Sequence, residues 1–121
     1  MSVQWCTPVQ VRKDSDIQML VVPCRRTLRC ELVELAGAPP FFAELVRAPA
    51  DLDAMQAAVG GLVELVPAAA CVDACGFDAY CADDGKLRDL LANPAAGCLT
   101  LDPDVVGTLI LVRKDKETDF I

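Results

Sequence analysis

VVGTLILV, residues 105–112, is the most apolar stretch of the chain, and its reading decides the fold. It is rich in Val, Ile and Leu, too short for a typical helix, and carries no charge. Such a run reads as a strand with both faces covered, placed in the interior of a sheet. An interior strand needs neighbours, and two segments offer themselves. IQMLVV (Ile17–Val22) is a second apolar run, stopped by Pro23. FDAYCA (Phe77–Ala82) alternates Phe77, Ala79 and Cys81 against Asp78 and Tyr80, the period-two pattern of a strand with two unlike faces.

Working outward, RCELVEL (Arg29–Leu35) and FFAELVRA (Phe41–Ala48) flank AGAPP, which holds the strongest turn formers of the chain. The pair reads as a hairpin, Arg29–Leu35 against Phe41–Arg47, with Cys30, Leu32 and Val33 turned inward. LVELV (Leu62–Val66) is a further strand ended by Pro67, and Val9 and Val11 predict a short edge strand. Leu52, Met55, Gln56 and Val59 lie on one helical face, with Asp51 in the first turn and Gly60 or Gly61 as a left-handed stop. KLRDLLAN (Lys86–Asn93) predicts a second short helix through Leu87, Leu90 and Leu91. Residues 68–76 and 95–104 read as loops, and 113–121 as a charged tail. The fold expected is α+β: one small domain, a mixed or mostly antiparallel sheet of five to six strands, two short helices on one face. Residues 1–27 are expected to be an N-terminal extension with one extra strand, 28–113 the core and 114–121 the tail.

With 121 residues the chain has room for one domain, and 54% hydrophobic against 24% charged residues rules out bulk disorder. A net charge of -7 argues against nucleic acid and anionic membranes as partners. The absence of histidine excludes Ser-His and Cys-His hydrolases and His-ligated metal sites. The N-terminal residues lack the apolar run of a secretory signal, and no run reaches a membrane span, so a cytoplasmic location is expected. There the seven cysteines are expected to be reduced.

Candidate chemistry is sparse. Cys71, Cys75 and Cys81 could supply three thiolates to zinc, but they lack a second short pair, and small apolar filler is the better reading. Cys24, before Arg25 and Arg26, is the best-placed thiol for activation, yet no base is legible. The acids Asp73, Asp78, Asp83, Asp84, Asp102 and Asp104 fall in or near turns and form no calcium loop. ADDGKL (Ala82–Leu87) is a tight turn from which Lys86 projects. No cofactor is expected.

An ordered set of motifs resembles one family. Met55-Gln56, Val59-Gly60-Gly61, Glu64, Gly85-Lys86-Leu87, Asn93 and Gly107 stand in the order of domain of unknown function 3846, a small domain of bacteria, phages, algae and large viruses. The resemblance spans roughly residues 28–113 and supports the strand at Phe41–Arg47. The chain departs from the family pattern at Ala82 (family Asn), Asp83 and Asp84 (family Glu) and Pro94 (family Arg). The resemblance implies no reaction, ligand or partner. Two expectations follow. The leading one is a non-catalytic module that binds a protein partner or associates with itself, since a mean hydropathy of +0.36 leaves apolar surface to cover. The other is a small-ligand or metal site formed by Asp83, Asp84, Lys86 and Asn93, with no metal ligand set assigned.

Overall fold

The computed structural model describes residues 7–84 and 89–114. The elements are β1 (Val9–Gln10), β2 (Met19–Val22), β3 (Glu31–Glu34), β4 (Phe41–Val46), α1 (Leu52–Val59), β5 (Val63–Val66), α2 (Ala70–Ala74), β6 (Phe77–Ala82), α3 (Ala96–Leu99) and β7 (Leu109–Arg113). The α+β class is as expected. Among the described residues the sheet has seven strands rather than five to six, in the order β1-β3-β4-β2-β7-β6-β5. It is mixed: β1 runs parallel to β3, and every other pairing is antiparallel.

The VVGTLILV run is an interior strand, as its composition demands. Leu109, Ile110 and Leu111 are fully buried between β2 and β6. The strand begins only at Leu109, because Gly107 turns the chain first with a φ of 76°. A Cβ there would lie 2.8 Å from Leu90 Cδ1, so both conformation and space favour glycine. The middle place in the sheet goes to β2, which comes from the first 27 residues.

Alternation along the strands sorts side chains into two cores. Leu20, Val22, Phe77, Ala79, Leu109 and Leu111 face one side, under Val72 of α2 and Ala96 and Leu99 of α3. Met19, Ala82 and Ile110 face the other, under Met55 and Val59 of α1. Where two helices on one face were expected, the described residues hold three helices on two faces. Residues 68–76 and 95–104, read as loops, each hold a short helix. Their small residues give no apolar stripe, and both helices are shaped by packing on the sheet. The helix expected at Lys86–Asn93 is absent over Asp89–Asn93, where Asp89 has a φ of 52° and Ala92 bridges Val106; Lys86, Leu87 and Arg88 lie outside the described residues.

The hairpin β3–β4 forms as read, in the register Val33↔Phe41. Its inward side is Val33 and Leu35, not Cys30 and Leu32, because period two puts Leu32 on the opposite face across from Phe42. Helix α1 also forms. Asp51 is its N-cap, not part of its first turn, and accepts a 2.8 Å bond from the Ala54 N–H. Gly60 caps the other end in the left-handed conformation. Among the described residues no helix is long and apolar enough to cross a membrane.

Candidate functional site

Of the residues singled out around the β6 turn, Asp83, Asp84 and Asn93 lie among the described residues. Asp83 and Asp84 are exposed in the turn after β6, and the Asp83 N–H extends the β5–β6 ladder to the Leu62 carbonyl. Lys86 lies outside the described residues. Asn93 is 4% exposed, and its amide is committed to the fold. Nδ2 donates to the carbonyls of Val22 and Gly107, both at 2.9 Å, and Oδ1 accepts from the Ala95 N–H at 3.0 Å. It thereby ties the end of β2 to the entry of β7 and the start of α3. A buried amide that meets three backbone groups has no donor left to offer a ligand.

The cysteines are likewise spread out. Cys75 Sγ faces the Val11 carbonyl, Cys71 Sγ the Cys98 carbonyl and Cys81 Sγ the Ala82 carbonyl. Burial, with a smaller push from Cys71, raises the Cys75 thiol above its ordinary pKa, so it stays protonated and inert. Among the described residues no three His, Cys, Asp or Glu side chains gather where they could hold a metal ion. None of the six described cysteines is in a disulfide.

Sequence reading missed Arg113, which it placed at the head of a charged tail. The guanidinium donates to five main-chain carbonyls, those of Arg12, Lys13, Ser15, Ile17 and Cys75, and to the Ser15 hydroxyl. It also stacks 4.1 Å from the centre of the Phe77 ring. Burial lowers its pKa from the ordinary arginine value, yet the carbonyl cage and the neighbouring Asp14 favour the charged form. Arg113 thus clamps the 12–17 segment to the end of β6. Next to it Lys114 pairs with Asp73, which lowers the Asp73 pKa, and lies 4.0 Å from Asp78. Carbonyl partners leave no residue signature, so nothing in the sequence announces this hub.

A concave site does occur at the other end of the sheet, where β2 exits and β4 begins. Its volume is about 260 Å³. Pro23 and Cys24 form one wall, the hairpin residues Pro39 to Phe42 a second, and Pro94, Ala95, Cys98 and Leu99 the floor beside α3. Asn93 holds this floor in place from below. The Cys24 thiol donates to the Leu91 carbonyl at 3.3 Å, which fixes the loop and occupies its proton. Arg26 closes the cleft, its guanidinium 4.3 Å from the centre of the Phe42 ring. Arg25, Arg26 and Arg29 are all exposed on this connection, which holds no acid between Cys24 and Cys30. Among the described residues no carboxylate is in salt-bridge range of any of the three. The sequence signal for this site is the basic run after Pro23; the proline walls come from three separate segments.

The family model described as Domain of unknown function (DUF3846) matches residues 27–121. No curated protein and no solved structure matches the chain. The matched residues take in β3 to β7 and all three helices, with the cleft's hairpin wall, its floor and the Asn93 anchor. On the strength of that match, the chain belongs to the DUF3846 family.

Proposed function

We propose that this domain is a non-catalytic binding module that holds an extended, acidic peptide segment of a partner protein in the cleft between Pro23, Pro40 and Pro94. The observation that supports this reading best is Arg26, stacked on Phe42 at the cleft mouth, with Arg25 and Arg29 exposed on the same connection. In a chain of net charge -7, three arginines on one connection, with no carboxylate in salt-bridge range among the described residues, make a local basic spot, and this favours an anionic visitor. The cleft is smaller than the roughly 300–1,000 Å³ of small-molecule sites. About 260 Å³ takes one or two side chains, which suits an apolar anchor on a peptide better than a cofactor. Proline walls are stiff, so little conformational freedom is lost on docking. The arginines then pair with carboxylates flanking the anchor.

The test uses a fluorescein-labelled peptide, Glu-Leu-Pro-Glu-Phe-Asp, and a counterpart with lysine at each acidic position. Anisotropy should show saturable binding of the acidic peptide, weakened about tenfold by Arg26→Ala, the loss of one charge-assisted contact. Equal binding of both peptides, or no effect of Arg26→Ala, would refute the reading.

A further inference from the structure

The short helices α2 and α3 pack on the same side of the sheet, and each carries a thiol where the two approach. Their backbones are joined there: the Ala69 N–H bonds to the Leu99 carbonyl at 3.0 Å, and Ala68 bridges Thr100. Just beyond this join stand Cys71 on α2 and Cys98 on α3, with the Cys71 Sγ 3.7 Å from the Cys98 carbonyl oxygen. Val72 and Leu99, the chain neighbours of the two cysteines, are fully buried, so the main chain is held at both places. Cys71 is half-buried, and Cys98 is exposed and lines the cleft. A cysteine sulfur moves by rotation about a single bond, and an S–H···O contact is weak. Turning the Cys71 thiol from the carbonyl toward the Cys98 sulfur therefore costs little.

The other described cysteines are placed differently. Cys75 and Cys81 are 7% and 6% exposed, out of reach of a reagent in water. Cys24 donates to the Leu91 carbonyl, and Cys30 Sγ lies 3.4 Å from the Thr27 hydroxyl. Cys71 and Cys75 stand four apart on one helical turn, a spacing that sets Cβ atoms about 5–6 Å apart, whereas a disulfide holds them at about 3.5–4.5 Å. We infer that Cys71 and Cys98 are a redox pair, joined by a reversible disulfide when a low-molecular-weight disulfide such as oxidised glutathione is in excess. The exposed Cys98 reacts first. Its thiolate attacks one sulfur of the small disulfide, that S–S bond breaks, and one glutathione leaves and takes up the proton that Cys98 gave. The Cys71 thiolate then attacks the Cys98 sulfur of the mixed disulfide, and the second glutathione leaves with the Cys71 proton. Two protein thiols are oxidised, and one small disulfide is reduced to two thiols. The new bond ties α3, the floor of the cleft, to α2, whatever the cleft holds.

The test equilibrates the full chain in glutathione buffers of rising oxidised fraction, caps remaining thiols with N-ethylmaleimide and maps them by mass spectrometry. Caps at Cys71 and Cys98 should be lost together, and a peptide pair that links the two residues should appear. In Cys71→Ser, Cys98 should instead accumulate a glutathione mixed disulfide, since the thiol that displaces the second glutathione is gone. Wild-type Cys98 that holds glutathione while Cys71 keeps its cap overturns the inference, because Cys71 then fails to reach it. So does a linked pair of Cys71 with Cys75, or the retention of both caps in the most oxidising buffer. The wild-type readouts stand whether or not the serine variant folds.

Discussion

Two arginines in this domain stack on phenylalanines, and their surroundings make them opposites. Arg113 lies over Phe77 at 4.1 Å and spends its donors on five backbone carbonyls and a hydroxyl. Arg26 lies over Phe42 at 4.3 Å, exposed, with no carboxylate in range among the described residues. The ring contact is nearly the same in the two places. What differs is whether the charge-assisted bonds have been made within the chain. Where they have, the cation is a structural clamp; where they have not, its donors stay available to something else.

The contrast breaks most visibly at Arg113. Arg113→Met keeps bulk over Phe77 but leaves five carbonyls short of a donor. The expected cost is about 3 kcal/mol of stability, read as a lower urea midpoint. Arg113→Lys should recover only part of this, because a point ammonium cannot reach carbonyls spread over two segments. If the two variants are equally stable, the fork of hydrogen bonds is not what matters there.

Asn93 sharpens the comparison from the cleft side, since it belongs to the clamp class yet supports the open site. Asn93→Ala removes three bonds from a residue that is 4% exposed. A loss of about 2 kcal/mol is expected, together with weaker binding of the acidic peptide as the floor loosens. Unchanged stability would mean that water replaces the amide without cost. Arg26→Ala is the smallest change for the fold. An exposed cation–π contact is worth about 0.5–1 kcal/mol at most, so the unfolding midpoint should barely move while the peptide signal falls. A large drop in stability would place Arg26 among the clamps.

The strands were legible because each one carries its own instructions. The Val105–Val112 run is apolar enough to require an interior place, and FDAYCA alternates so plainly that its inward face can be read residue by residue. The turn at AGAPP and the stop at Gly60 need no distant partner either. Helices α2 and α3 were not legible, because AAACVDA and AAGCL have no stripe to read and take their form from the sheet beneath. The Leu87, Leu90, Leu91 pattern predicted a helix that Asp89–Asn93 does not adopt. There the chain follows its contacts with Val105, Gly107 and Val22 instead. At the cleft, Cys24, Arg25 and Arg26 drew notice as a group, but their neighbours Pro40 and Pro94 are distant in sequence.

The amino-acid sequence alone determined the α+β class, the acidic balance, the lack of histidine chemistry and most strand positions, since these follow from local composition and periodicity. The tertiary structure decided the strand order, the two-sided placement of the helices, and which polar side chains remain free. Those depend on backbone carbonyls and edges brought together from far along the chain, and such groups are the same in every residue.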